Sequence, residues 1–355
     1  MLAALPRLVR PSHSLSWLRC PGGRTPCARR PALRGMASTT SDADLSPQLH
    51  DACKAGDAAA VRELLARGVS PDVVYSEGGG WVPLHWAAGN CHADCVRALL
   101  AAGATADARN CKRQTPLHVA AMGGCDTCVL LLLQAGATGD AADEAGSTPL
   151  LHAAVFDKDA CARVLLNHGV SANAALADGG VTALHFVAQN GHVATARVLL
   201  AGGGDVNAAN NDGATPLHFC AYFGQEACLR VLLDAAGAVA DATSADGRTP
   251  LHVAAMNGHE ACTRALLAKG ARTDAQDEEG ATPLHMAAAL GQDGCVSVLL
   301  AAGADATARD KARASCRLYT RAPADDPPAG AAQEGRTPLD VADTDSVIAA
   351  LRPSA

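Results

Sequence analysis

Aromatic side chains are scarce in this chain, with ten among 355 residues. Any core must therefore be filled by Ala, Leu and Val rather than by rings. No apolar run reaches the roughly 18 residues that a membrane-spanning helix requires, so the chain reads as soluble, with no membrane insertion. A surplus of positive charge is also missing: 29 basic against 36 acidic residues leave −7, which argues against a nucleic acid as partner. There is no glycine-rich phosphate loop. Gly78-Gly79-Gly80 and Gly202-Gly203-Gly204 are not followed by the Lys-Ser/Thr that a phosphate cradle needs, and read as turns. Cysteine is not lacking, at fourteen, but a chain this long without a secretory apolar segment does not read as a disulfide scaffold.

The first 35 residues lack acidic side chains altogether and carry seven arginines, at 7, 10, 19, 24, 29, 30 and 34. That composition is expected of a disordered leader, residues 1–43, that acts as an organellar transit peptide. Pro6 and Pro11 would interrupt its helix, and Met36 offers an alternative start, "MASTTSDADLS". Both readings stay open: cytoplasmic if translation begins at Met36, mitochondrial or plastid if the leader is used. Without those seven arginines, 22 basic residues face 36 acidic ones, a charge of −14.

Length alone suggests two domains, but a repeat overrides that prior. Thr-Pro-Leu-His or a close variant starts at 82, 115, 148, 182, 215, 249 and 282, at steps of 33 or 34 residues. A period of this size means a stacked solenoid. One copy, "RTPLHVAAMNGHEACTRALLAKGA" (248–271), shows the logic. Thr249 caps a helix and Pro250 fits its first position. Leu251, Ala254 and Ala255 share one face. Gly258 ends that helix. A second follows with Cys262, Ala265 and Leu266 inward, and Gly270 supplies the left-handed residue at its end. Such a unit cannot bury its own apolar face, so the copies must stack.

These motifs resemble ankyrin repeats, across residues 44–353. The resemblance implies an all-α solenoid of about nine repeats, each a pair of antiparallel helices plus a hairpin finger, stacked into a curved superhelix. The repeats are expected near 44–76, 77–109, 110–142, 143–176, 177–209, 210–243, 244–276, 277–310 and 332–353. The first and last read as polar caps, and a disordered insertion is expected at 313–334. There a basic cluster, Lys311, Arg313, Arg317 and Arg321, lies near Ser315 and Thr320, a pattern that fits either a phosphorylation site or a solvated loop.

Residues that often carry chemistry recur in register. Cys95, Cys128, Cys161, Cys228, Cys262 and Cys295 all stand 13 residues after their repeat's start, with Thr195 at that place in another copy. Equivalent points on stacked helices lie roughly 8 to 10 Å apart, beyond the ~7 Å a disulfide spans, so this ladder is expected to pack as core and stay unlinked. Cys91, Cys95, Cys125 and Cys128 form the sharper cluster, a candidate zinc or redox site. Against it, two belong to the ladder and Cys91 takes the place of a break glycine. His85, His118, His185, His218, His252 and His285 recur once per repeat, and the resemblance implies that they tie neighbouring backbones together. Arg97, Arg163, Arg197, Arg230 and Arg264 form a stripe expected to face solvent. No catalytic group, metal or cofactor is assigned.

The resemblance places partners at the finger tips and the exposed end of each first helix, the fourth and fifth residues after the motif His. Six of the ten aromatics stand there or directly after the His: Trp86, Phe156, Phe186, Phe219, Tyr222 and Phe223. Trp86, Phe186 and Phe219 are expected to pack between repeats. The candidate partner-binding set is Trp81, Trp86, Met122, Phe156, Tyr222, Phe223, Met256 and Leu290, an apolar surface rimmed by Asp212, Asp246, Asp277, Glu278 and Glu279. The expected function is a non-enzymatic, monomeric scaffold for other proteins. A zinc- or redox-responsive protein and a regulatory module of an organellar enzyme are the alternatives.

Overall fold

The computed structural model describes residues 42–74 and 79–310, with side chains from residue 45 onward. Most of the expected leader, the insertion and the last repeat lie outside the described residues. The chain divides into two compact bodies: among described residues, the first holds 42–178 with 201–203, and the second holds 179–200 with 204–310.

The first body contains four helix pairs: α1 (Asp42–Ala55) and α2 (Ala58–Ala66), α3 (Pro83–Gly89) and α4 (Ala93–Ala101), α5 (Pro116–Gly123) and α6 (Asp126–Gln134), α7 (Pro149–Val155) and α8 (Asp159–Asn167). The second contains α9 (Ala183–Asn190) and α10 (Val193–Ala201), α11 (Pro216–Phe223) and α12 (Glu226–Leu233), α13 (Pro250–Met256) and α14 (Glu260–Ala268), α15 (Pro283–Ala289) and α16 (Asp293–Ala301). Within each body the first helices stack in series, α1 on α3 on α5 on α7, and α9 on α11 on α13 on α15. The second helices form a parallel layer, with α2, α4, α6 and α8 in one body and α12, α14 and α16 in the other.

From α3 onward the helices are seven to nine residues long, too short to persist alone in water, so packing must hold them. Leu84, Leu117, Leu150, Leu184, Leu217, Leu251 and Leu284 are all fully buried. Each such side chain contributes about 1.5–3 kcal/mol by leaving water. Ala87, Ala88, Ala120, Ala121, Ala254 and Ala255 are buried too, and their small size permits close helix approach. The second-helix face is filled as the pattern requires, by Cys262, Ala265 and Leu266 in α14.

The finger turns carry their own bonds. Asp143 Oδ1 accepts from the Ala145 and Ser147 backbone N–H groups, both at 2.9 Å. Asn210 and Asp277 repeat the arrangement, at 2.8 and 2.9 Å to Ala214 N and Ala281 N respectively. Successive fingers are joined by backbone bonds such as Glu144 N to Lys112 O (2.9 Å) and Ala245 N to Asp212 O (2.8 Å). These side-chain turns satisfy amides that a loop would otherwise leave to water.

Candidate functional site

The repeating histidine sits at the base of each first helix. The Thr115 backbone N–H donates to His118 Nδ1 (3.1 Å), which leaves Nε2 to donate to Ser147 O of the following finger (3.0 Å). His185, His218 and His252 do the same, donating to Ala214 O, Arg248 O and Ala281 O at 2.9–3.0 Å. His85 donates to Gln114 O, although Val82 has no hydroxyl and only its backbone N–H meets Nδ1. Burial pushes His85, His118, His185, His218 and His252 down to about 4, so they are neutral at physiological pH. A neutral imidazole held on both nitrogens has no lone pair left for a metal or a substrate. In the fourth repeat Leu151 takes the histidine's place, and His152 directs Nε2 to Asp143 Oδ2 at 3.0 Å.

In the first body, Trp81 and Trp86 pack ring on ring, centroids 4.5 Å apart, with the Lys54 ammonium 4.5 Å over the Trp86 ring. Both rings are half-buried, and the buried Trp86 Nε1–H has no hydrogen-bond acceptor among the described residues. Met122 is half-buried on α5, and Phe156 is half-buried as the C-cap of α7. In the second body, Phe219 is buried, edge-on to the His185 ring at 4.9 Å, while Phe186 is half-buried. Tyr222 and Phe223 end α11 half-exposed and edge to face, centroids 5.0 Å apart. Leu290, the C-cap of α15, is 44 % exposed.

Two expectations fail. Met256 does not join the exposed set: it is 9 % exposed and packs with Met286 and Ala281. The fourth residue after the histidine leans on the residue directly after the next histidine. Gly89 shows the same geometry, since a Cβ there would meet Val119 Cγ1 at 2.5 Å. With the long Met286 as its neighbour, Met256 is covered. Asp277 does not rim the surface either. It is 5 % exposed, binds its own finger's amides and faces Arg248 Nε at 3.5 Å. Asp212 and Asp246 are half-exposed, and Glu278 and Glu279 are exposed.

The ladder and the cluster differ. Cys95, Cys128, Cys161, Cys228, Cys262 and Cys295 are buried rungs of the ladder, each an unlinked thiol. Burial pushes Cys161 up to about 12, and Cys128 and Cys262 up to about 11, so those three are not ready nucleophiles. Cys91 and Cys125 are instead bonded to each other as a disulfide, Cα atoms 4.9 Å apart. The four-sulfur cluster is therefore not one site: two members bond each other and two point into the core. Among the described residues no group of three or more His, Cys, Asp or Glu side chains is arranged to hold a metal ion. The arginine stripe is exposed and occupied locally, Arg97 on Asp94 at 2.8 Å and Arg230 on Glu226 at 2.8 Å, with Arg264 on Glu260. Such exposed pairs contribute about 0–1 kcal/mol. No helix among the described residues is long and apolar enough to cross a membrane.

The family model described as "Ankyrin repeats (3 copies)" matches residues 49–143, 103–175, 151–243 and 236–310. The chain belongs to the ankyrin-repeat family. The matched span takes in the ankyrin repeats of both bodies, and no catalytic domain is identified beside them. No curated protein matches the chain. Ankyrin repeats are in general protein-binding modules, so what distinguishes this member must lie in its departures from the repeat. One departure that sequence reasoning singled out without pairing is Cys91–Cys125. The usable signal was positional: one cysteine stands at a break glycine and the other at the first residue of the next repeat's second-helix entry.

Proposed function

We propose that this ankyrin-repeat protein is a non-enzymatic scaffold that binds partner proteins through the exposed ends of its first helices. The carrying observation is the Tyr222–Phe223 pair. The fifth residue after the motif histidine position is Asn90, Gly123, Asn190 and Asn257 in four repeats and Phe156 and Leu290 in two others; in α11 it is Phe223, which alone among these packs edge-on against an aromatic neighbour, Tyr222, and is half-exposed. Aromatics at exposed, pre-packed positions are the residues that dominate protein interfaces. Leu290 and Phe186 extend the candidate surface within the second body, with Asp212, Asp246, Glu278 and Glu279 as its acidic rim. Trp81, Trp86, Met122 and Phe156 offer comparable apolar positions in the first body. The acidic rim favours partners that carry basic residues around an apolar anchor.

The test is affinity capture with the wild-type chain beside a Tyr222→Ala/Phe223→Arg variant of unchanged circular dichroism. A hot-spot pair predicts loss of the main captured protein, with affinity reduced about 30-fold or more. An identical captured set at equal yield would remove this surface from the reading. N-terminal sequencing of the native protein decides the compartment question, by showing whether the chain begins at Met1, at Met36 or beyond a processing site.

A further inference from the structure

The turn between the two helices of each repeat follows a steric rule. Its ninth position, counted from the motif start, carries a left-handed residue: Gly124, Gly191, Gly224, Gly258 and Gly291 have φ between 65° and 83°. The tenth position of the following repeat carries a long side chain that lies across that glycine. His259 lies over Gly224, where a Cβ would meet its Nδ1 at 2.7 Å, and its Nε2 donates to Tyr222 O at 3.0 Å. Gln225 covers Gly191 and Gln292 covers Gly258 in the same way, at 2.3 and 2.1 Å from the added carbon. Glycine and long residue thus go together at these junctions, although the ninth position also holds Asp157, left-handed at φ 54°.

At one junction of the first body both halves of the rule change together. Cys91 takes the glycine's place and keeps its left-handed backbone, φ 63°, which a residue with a β-carbon rarely adopts. Cys125 takes the long residue's place, and only a short side chain leaves room for the Cβ of Cys91. The result is two sulfurs at a Cα separation of 4.9 Å, inside the range a disulfide spans. Their exposure is unequal: Cys91 is exposed, whereas Cys125 is 3 % exposed with Sγ directed at Gly89 O, 3.8 Å away.

We propose that Cys91 and Cys125 are a reversible thiol–disulfide pair, a modification site whose co-substrate is a small-molecule disulfide such as glutathione disulfide. Cys91, the accessible sulfur, reacts first. Its thiolate attacks one sulfur of the small disulfide, forming a mixed disulfide and releasing one glutathione thiolate, which takes up the proton Cys91 gave away. Cys125 then loses its proton and attacks Cys91 Sγ, and the second glutathione leaves as a thiol. The protein is oxidised by two electrons, and one glutathione disulfide becomes two glutathione thiols. Oxidation clamps the α3–α4 turn to the α5–α6 turn. Reduction leaves a junction with neither the glycine nor the long side chain found together at Gly191, Gly224 and Gly258.

The experiment equilibrates the full chain in glutathione redox buffers. It then quenches with acid, alkylates under denaturing conditions and maps the peptides. The proposal expects Cys91 and Cys125 to pass together from alkylated to linked as the buffer becomes oxidising, while Cys95 and Cys128 stay alkylated throughout. A Cys125→Ser variant should accumulate glutathione on Cys91. A Cys91→Gly variant, which restores the usual residue and so should fold, should leave Cys125 unmodified under the same conditions. The oxidised wild type should melt about 5 °C above the reduced form, as expected for a closed loop of this length. Thiols at Cys91 and Cys125 across the whole range would overturn the proposal. So would a bridge that no thiol reduces while the chain is folded, or linkage to another cysteine instead.

Discussion

The turns at Cys91 and at Gly224 occupy the same place in their repeats yet are held by opposite means. At Gly224 the backbone turns left-handed, φ 70°, without a side chain, and the His259 ring fills the space and reaches Tyr222 O. At Cys91 a β-carbon stands in that space and the partner has shrunk to Cys125. One junction rests on shape and a hydrogen bond, which form with the fold. The other rests on a covalent bond, which the surroundings can make or break. A repeat array thus need not be uniform in what controls it, even where its backbone is uniform.

The strongest perturbation should act on both junctions alike. His85 and His118 lie in the first body, His218 and His252 in the second, and burial holds all four at about 4. In the unfolded chain a histidine titrates near 6.5, so below that the unfolded state binds more protons than the folded one. Their contribution is complete above pH 6.5 and is lost as pH falls from there towards 4. The unfolding free energy from urea titration should fall between pH 6.5 and pH 4, by about 1.4 kcal/mol per histidine per pH unit at most, and the urea midpoint with it, in reducing and oxidising buffer alike. A flat midpoint over that range would mean that these rings are not buried neutral.

Next in size is a glycine substitution. Gly224→Ala puts a β-carbon at φ 70° and within 2.7 Å of His259, and should cost about 2–3 kcal/mol in a denaturant titration. The sharper version transplants the other junction: Gly224→Cys/His259→Cys should be destabilised when reduced and should recover much of the loss when oxidised. If the double variant does not link, the geometry of the Cys91 turn is not a property of the repeat backbone. His259→Ala removes the bond to Tyr222 O and the ring's cover over Gly224, and should cost about 1–2 kcal/mol. The smallest effect has the opposite sign. In reducing buffer Cys91→Gly relieves the left-handed strain and should stabilise the chain by a few tenths to about 1 kcal/mol.

The helices were legible because their determinants are local. Thr249, Pro250, Leu251 and His252 announce a capped helix start within four residues, and Ala254, Ala255 and Gly258 give its face and its end. The misread residues depend on a neighbour one period away. Met256 looks exposed by its helix position, but its environment is set by Met286 in the next repeat. Asp277 looks like a charged finger tip until its carboxylate is seen to close the turn at Ala281. Cys91 and Cys125 are each unremarkable alone, and become a pair only when position nine of one repeat is laid beside position ten of the next. Partner preference was least legible, because it rests on a few side chains that the repeat pattern leaves unconstrained.

The bridged cysteines are 34 residues apart, so the bond encloses one full period of the array. That has a mechanical meaning. When an oxidised chain is pulled from its ends, the segment between Cys91 and Cys125 bears no load. Even with every helix undone, roughly 110–120 Å of contour stays hidden, at about 3.3–3.6 Å per residue. The reduced chain would pay out that length. The redox state of one turn thus sets how far the whole protein can be drawn out.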